Sequence, residues 1–167
     1  MQLLKIYYAY FSPGNTTEKV VSHIASSFQN YPVESINLTD YATRQEDYYF
    51  KENELLIIGV PAYGGRVPAP VVDALRHFTG SNTPVVLVAT YGNRDIDDTL
   101  IELKKNVIDK GFIPVGAASF VCQHTFLKEC AEGRPDEEDL KMAGEFGDKL
   151  KERLRLLVTY DAGDLEV

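Results

Sequence analysis

The chain has 167 residues, of which 44% are hydrophobic and 25% charged, and its formal net charge is -8 at pH 7. This length and composition are typical of one globular domain with a sizeable core. The excess of acidic residues argues against nucleic-acid binding, which needs clustered lysine and arginine, and it favours solubility and a basic partner.

Apolar strand patterns alternate with amphipathic helical patterns along the chain. The strand patterns cover residues 3–10, 33–38, 54–60, 83–90 and 113–121. The helical patterns, with apolar residues three or four positions apart, cover residues 18–28, 69–78, 97–110 and 135–154. The polar segment 39–53 is predicted to be a connection with about one helical turn.

The alternation predicts an α/β fold, a three-layer doubly wound five-stranded parallel sheet with helices on both faces. We expect one domain over residues 1–155 and a C-terminal tail over residues 156–167, whose structure the sequence leaves undetermined. In such sheets, ligands bind at the carboxyl ends of the strands. Three loops rich in glycine, hydroxyl and tyrosine residues follow predicted strands, so they are expected to converge at one edge.

The first of these loops joins the first strand to the first helix. It consists of Ser12, Pro13, Gly14, Asn15, Thr16 and Thr17. Because the loop precedes a helix, its backbone N–H groups and the positive end of the helix face one spot, where an anion such as phosphate binds without a lysine.

This first loop resembles the phosphate loop of the flavodoxin family, usually Ser/Thr-x-Thr-Gly-Asn/Thr-Thr. The resemblance is closest to short flavodoxin-like domains that read Phe-Ser-Pro-Thr-Gly-Thr-Thr. The residues that match without a gap are Ser12, Pro13, Thr16 and Thr17. Gly14 replaces a threonine and Asn15 replaces the glycine. Asparagine tolerates a left-handed backbone, so Asn15 can stand in for glycine. A one-residue gap would instead make Gly14 the turn residue, but it shortens the loop.

The resemblance implies the strand order 2-1-3-4-5 and FMN as a cofactor held without a covalent bond. It also implies that the first loop holds the phosphate through backbone N–H groups and through the hydroxyls of Ser12, Thr16 and Thr17. The turn at residues 132–137 resembles a segment of flavodoxin-like domains that are fused to a ferredoxin. The chain has no Cys-x-x-Cys set, so an iron–sulfur function is not implied.

The second and third loops resemble the segments that contact the isoalloxazine ring in the same family. The second loop contains Pro61, Ala62, Tyr63, Gly64, Gly65, Arg66 and Val67. The third contains Thr90, Tyr91, Gly92, Asn93 and Arg94. We expect Tyr63 and Tyr91 to lie against the ring, and the glycines to let the backbone approach its edge.

The sequence therefore predicts an FMN-binding, flavodoxin-like electron-transfer protein that needs no catalytic side chain. The expected partner is a basic redox protein, such as a ferredoxin or a reductase, and the expected state is a monomer or weak homodimer. Two alternatives remain open. Arg66 and Arg94 could bind an anionic substrate of an FMN-dependent NAD(P)H or quinone reductase. The departures at Gly14 and Asn15 could instead mark a module that has lost flavin binding.

Cysteine usage and hydropathy bear on the cellular setting. No apolar run reaches the length of a membrane span, and the first residues lack the pattern of a secretion signal. Cys122 and Cys130 are too few for a zinc or iron–sulfur ligand set. We therefore expect a reduced, cytoplasmic protein without a metal or a membrane contact. Cys122 and His124 follow the fifth strand and could approach the edge of the ring, but a surface loop is favoured because a lone cysteine or histidine without a placed partner is usually neither a ligand nor a base.

Overall fold

The computed structural model describes residues 3–156, which form seven strands and four α-helices. The strands are β1 (Lys5–Tyr10), β2 (Val33–Asn37), β3 (Tyr48–Phe50), β4 (Glu54–Pro61), β5 (Phe78–Gly80), β6 (Thr83–Tyr91) and β7 (Phe112–Val121). The helices are α1 (Thr16–Ser26), α2 (Ala69–Ala74), α3 (Thr99–Ile108) and α4 (Glu137–Leu156). The predicted tail lies outside the described residues from position 157 onward.

Five of the strands form one parallel sheet in the order β2-β1-β4-β6-β7. Numbered within this sheet alone, the order is 2-1-3-4-5, which confirms the predicted topology. The two central strands, β4 and β6, are buried along almost their whole length because helices cover both faces of the sheet.

Each face of the sheet carries its own apolar core. On one face, α1 and α4 pack through residues such as Val20, Ile24 and Leu150. On the other face, α2 and α3 pack through residues such as Val71 and Leu103. Each fully buried side chain of this kind contributes about 1.5–3 kcal/mol of transfer free energy. The two cores fix α1 and α3 against the sheet and thereby fix the loops that precede them.

A second, two-stranded parallel sheet pairs β3 with β5 and was not predicted. The helix predicted over residues 69–78 is wrong at its end, because α2 stops at Ala74 and a 3-10 turn, Leu75–His77, follows it. Phe78 then enters β5 and packs its ring 5.4 Å from the ring of Phe50. Burial of these two aromatic rings outweighs the local helical preference.

The loops after β1, β4, β6 and β7 all leave the carboxyl edge of the main sheet, because the strands are parallel. The chain turns to opposite sides of the sheet after β1 and after β4, which creates a crevice at this edge. Among residues 3–156, no helix is long and apolar enough to cross a lipid bilayer.

Candidate functional site

The loop between β1 and α1 is held in one closed conformation. The backbone N–H of Ser12 donates to Oγ1 of Thr39 at 2.8 Å, and the Ser12 hydroxyl oxygen accepts the N–H of Glu18 at 3.0 Å. Asn15 has φ 62° and ψ 3°, which is the left-handed conformation that the ungapped alignment requires of this position. Its N–H donates to the carbonyl oxygen of Ser12 at 3.1 Å. The loop is therefore set before any ligand binds.

Three backbone N–H groups of this loop, those of Gly14, Thr16 and Thr17, have no hydrogen-bond partner within residues 3–156. Thr16 and Thr17 are the first two residues of α1, an 11-residue helix whose positive end lies here. The three free donors form a cradle for an anion, which we call the N–H cradle. A phosphate group fits this donor set because it offers several acceptor oxygens and a negative charge.

Two of the predicted site residues point into the protein rather than toward solvent. The hydroxyl oxygens of Thr17 and Thr90 lie 2.7 Å apart, and each residue is 2% exposed. Their hydrogen bond joins the start of α1 to the end of β6 beneath the crevice. Thr17 thus contributes its backbone N–H to the cradle, while its hydroxyl has a partner in the protein.

The loop after β4 is a tight two-residue hairpin. Tyr63 and Arg66 exchange backbone hydrogen bonds of 3.0 and 3.1 Å around Gly64 and Gly65, whose φ angles are 58° and 75°. Positive φ at both central residues is the pattern of a type I′ turn, which glycine adopts without strain. The Ala62 N–H also donates to the carbonyl oxygen of Thr90 at 2.8 Å, so this hairpin is tied to β6. Tyr63 is left 38% exposed at the crevice.

The carboxylate of Glu102 in α3 binds the same hairpin through hydrogen bonds. It accepts two hydrogen bonds from the Arg66 guanidinium, at 2.9 and 3.0 Å, and a third from the Val67 N–H at 2.9 Å. The Arg66 hydrogen bond holds the pKa of Glu102 below its ordinary value, and the carboxylate in turn raises the pKa of Arg66. Arg66 therefore faces α3 as a structural ion pair.

The loop after β6 carries two further residues with positive φ, Asn93 at 65° and Asp97 at 43°. Arg94 donates to the carboxylate of Asp97 at 2.8 Å. A Cβ atom placed on Gly65 would lie 2.5 Å from Asp97, so the second and third loops pack directly on one another. Both arginines that the sequence placed near the ring are paired with carboxylates of the protein.

A fourth loop, after β7, also lines the site, although sequence reasoning favoured a surface position for it. Cys122 is 2% exposed, and burial raises the pKa of its thiol to about 12. The thiol therefore stays protonated near neutral pH and is a poor nucleophile. Cys122 and Cys130 are free thiols. The sequence feature that could have placed this loop at the site is its position after the fifth strand of the main sheet.

The four loops enclose a cleft of about 370 Å³ at the carboxyl edge of the sheet. The predicted site residues that line it are Thr16, Pro61, Ala62, Tyr63, Gly64, Thr90, Tyr91 and Gly92. The residues of the fourth loop that line it are Cys122, Gln123, His124, Thr125 and Phe126. The predicted residues outside its lining are Ser12, Pro13, Gly14, Asn15, Thr17, Gly65, Arg66, Val67, Asn93 and Arg94. The N–H cradle adjoins the cleft through Thr16, which belongs to both.

The cleft and the cradle together offer room for a planar ring beside an anionic group. The volume falls in the range of about 300–1,000 Å³ that is usual for ligand pockets. Tyr63 and Tyr91 supply aromatic surface for a planar ring, while the cradle supplies donors for a phosphate.

A second cavity of about 340 Å³ lies at the opposite edge, between the C-terminal ends of α1 and α4, and contains none of the predicted site residues. Within residues 3–156, no group of three metal-ligating side chains is close enough to hold a metal ion.

No protein-family model and no curated protein sequence matches this chain. Solved structures match it over most of its length. A flavodoxin from the domain Archaea has a TM-score of 0.63 at 14% identity, covering 91% of this chain and 99% of its own. A short-chain flavodoxin associated with a bacterial microcompartment has a TM-score of 0.58 at 17% identity, covering 90% and 98%.

The flavodiiron core of Flv1 from Synechocystis is also similar, with a TM-score of 0.60 at 18% identity. The match covers 92% of this chain but 36% of the Flv1 core, so the chain spans about a third of that larger protein. At these identities the likeness shows the fold, and it confirms the flavodoxin-like fold that the sequence predicted.

Proposed function

We propose that this chain, which has the flavodoxin fold, binds one FMN in the cleft and carries electrons between redox proteins. The observation that carries the proposal is the N–H cradle, whose three backbone donors in and just before α1 have no hydrogen-bond partner within residues 3–156, beside a cleft with two tyrosines. No charged side chain is needed for the phosphate, because hydrogen bonds and the helix dipole favour an anion there.

The roles of the protein groups follow from their positions. Bound FMN would supply the redox chemistry, and the protein would position it and exclude water. The backbone of the first loop would hold the phosphate, and Tyr63 and Tyr91 would lie against the ring. The buried Thr17–Thr90 hydrogen bond would keep the phosphate side and the ring side of the site in a fixed relation.

A carrier is favoured over a reductase because both arginines beside the cleft are already paired. Arg66 binds the carboxylate of Glu102, and Arg94 binds that of Asp97. An anionic substrate would therefore have to compete with these carboxylates for either guanidinium. The net charge of -8 favours a basic redox protein as partner, and we extend the proposal to a cytoplasmic monomer or weak homodimer of residues 1–155.

The test is a titration of the apoprotein with FMN and, separately, with riboflavin. We expect one FMN per chain and an affinity for riboflavin that is lower by roughly 1,000-fold or more, since three hydrogen bonds to a charged group contribute about 1.5–3 kcal/mol each. Equal affinities would remove the role of the cradle, and no retention of FMN at micromolar concentration would contradict the proposal. Turnover of NADH or NADPH by the isolated holoprotein would favour the reductase instead.

A further inference from the structure

The imidazole ring of His124 is fixed by its own loop. Its Nδ1 atom accepts the backbone N–H of Phe126 at 3.1 Å and that of Leu127 at 3.0 Å. Its main-chain N–H donates to the carbonyl oxygen of Cys130 at 3.0 Å. A ring nitrogen that accepts hydrogen bonds carries no proton, so the neutral imidazole must carry its proton on Nε2.

The Nε2–H group has no partner within residues 3–156, although His124 is half-buried in the wall of the cleft. A Cβ atom placed on Gly92 would lie 2.5 Å from Cδ2, the carbon bonded to Nε2. The Cγ–Cδ2 side of the ring is therefore packed against the third loop, and Nε2 is not among the ring atoms nearest to Gly92. The thiol of Cys130 donates to the carbonyl oxygen of Gly92 at 3.1 Å and holds the two loops together.

We propose that His124 is a ligand-contacting residue whose Nε2–H donates to a carbonyl oxygen or unprotonated nitrogen of a planar heteroaromatic ring in the cleft. The inference rests on the proposed function, since the ring it would contact is that of FMN. The loop fixes the donor before any ligand binds. The N–H groups of Phe126 and Leu127 donate to Nδ1 and so leave the ring proton on Nε2. His124 thus selects a ring edge that offers an acceptor and disfavours one that offers a donor.

Two substitutions separate this role from a purely structural one. In His124→Asn, the amide oxygen can replace Nδ1 as acceptor for Phe126 and Leu127, but no donor reaches the Nε2 position. In His124→Gln, the longer amide can bring a donor near that position, but the acceptor at Nδ1 is lost. His77→Asn is the matched control, since His77 pairs with Asp47 and lies outside the cleft.

The experiment measures the affinity of each apoprotein for FMN and for riboflavin, together with its thermal midpoint. We expect His124→Asn to bind both ligands about three- to tenfold more weakly, the loss of one neutral hydrogen bond, with an unchanged midpoint. Unchanged affinity would overturn the proposal, and so would a loss confined to FMN, which would place the contact at the phosphate. If His124→Gln loses affinity and His124→Asn does not, the Nδ1 hydrogen bonds that hold the loop are what binding requires. That result would also overturn the proposal.

The parent protein supplies an independent readout by nitrogen NMR of its histidine side chains. We expect Nδ1 of His124 to be unprotonated and Nε2 protonated at neutral pH, and the Nε2 resonance to move when FMN or riboflavin is added. A proton on Nδ1, or an Nε2 resonance that does not respond to bound ligand, would overturn the inference while leaving the proposed function intact. A parent that binds neither ligand would overturn both.

Discussion

The hydroxyl oxygens of Thr17 and Thr90 lie 2.7 Å apart, although 73 positions of sequence separate the two residues. Both side chains are buried, and each hydroxyl has the other as its hydrogen-bond partner. The contact joins the helix that carries the N–H cradle to the strand that leads to Tyr91. It links the two parts of the proposed site, the N–H cradle and the cleft.

The Thr17–Thr90 pair predicts strongly non-additive mutational effects. Thr17→Val or Thr90→Val alone should lower the free energy of unfolding by about 1–3 kcal/mol, because each leaves one buried hydroxyl unpaired. The double variant should cost less than the sum, since no unpaired group remains. Urea denaturation of the four proteins measures the coupling, with Thr79→Val on an exposed strand position as control. Additive effects would mean that the two hydroxyls do not depend on each other.

Asn15 is predicted to matter through its backbone and not through its side chain. Its φ of 62° is left-handed, and its side chain makes no capping hydrogen bond. Asn15→Gly should therefore keep the affinity for FMN, whereas Asn15→Val should abolish tight binding, because a β-branched residue resists this conformation by at least about 1–2 kcal/mol. Riboflavin affinity should be the same in both variants. Normal FMN binding by Asn15→Val would show that the cradle does not depend on this turn.

Tyr63 and Tyr91 are predicted to contact the ring of FMN. Tyr63→Ala and Tyr91→Ala should each weaken FMN binding by roughly 1–3 kcal/mol, through lost aromatic burial and stacking. Tyr49→Ala is a suitable control, because Tyr49 is 74% exposed and lies outside the cleft. Fluorescence titration measures all three. If both cleft variants bind as tightly as the parent, the ring lies elsewhere.

The ion pair between Glu102 and Arg66 predicts a pH dependence of stability. The folded pKa of Glu102 lies below its ordinary value of 4.5, chiefly because of the Arg66 hydrogen bond. The stabilisation is therefore fully present above that value and is lost as the pH falls toward the folded pKa. The free energy of unfolding of the parent should exceed that of Glu102→Gln most at neutral pH, and the difference should shrink in acid. Urea denaturation across that range measures it, and a constant difference would contradict the assignment.

The net charge of -8 predicts salt-sensitive encounter with a basic redox partner. Electron exchange between the holoprotein and such a partner should slow as ionic strength rises, because screening weakens electrostatic steering. Stopped-flow measurements in increasing sodium chloride test this, with an uncharged small-molecule acceptor as the control reaction. A rate that does not change with salt would argue against a basic partner.

The sequence determined those features that depend on neighbours along the chain. The continuous apolar runs in β4 and β6 require burial on both faces, and they alternate with amphipathic helices, so the parallel sheet and the convergence of its loops at the carboxyl edge follow. The left-handed turn at Asn15 also follows from residue type and position. The likeness of the loop between β1 and α1 to a phosphate loop could be recognised because one short segment supplies its whole backbone geometry.

The tertiary structure alone decided the features that join distant segments. The packing of the Phe78 ring against Phe50 favours β5 and the early end of α2 over the local helical pattern. Arg66 forms an ion pair with Glu102, although sequence reasoning had considered it as a ligand for an anionic substrate. The fourth loop reached the cleft because β7 is paired beside β6, which placed His124 against Gly92. The periodicity of the sequence does not predict such contacts, because the energy of each contact depends on which strands become neighbours when the sheet forms.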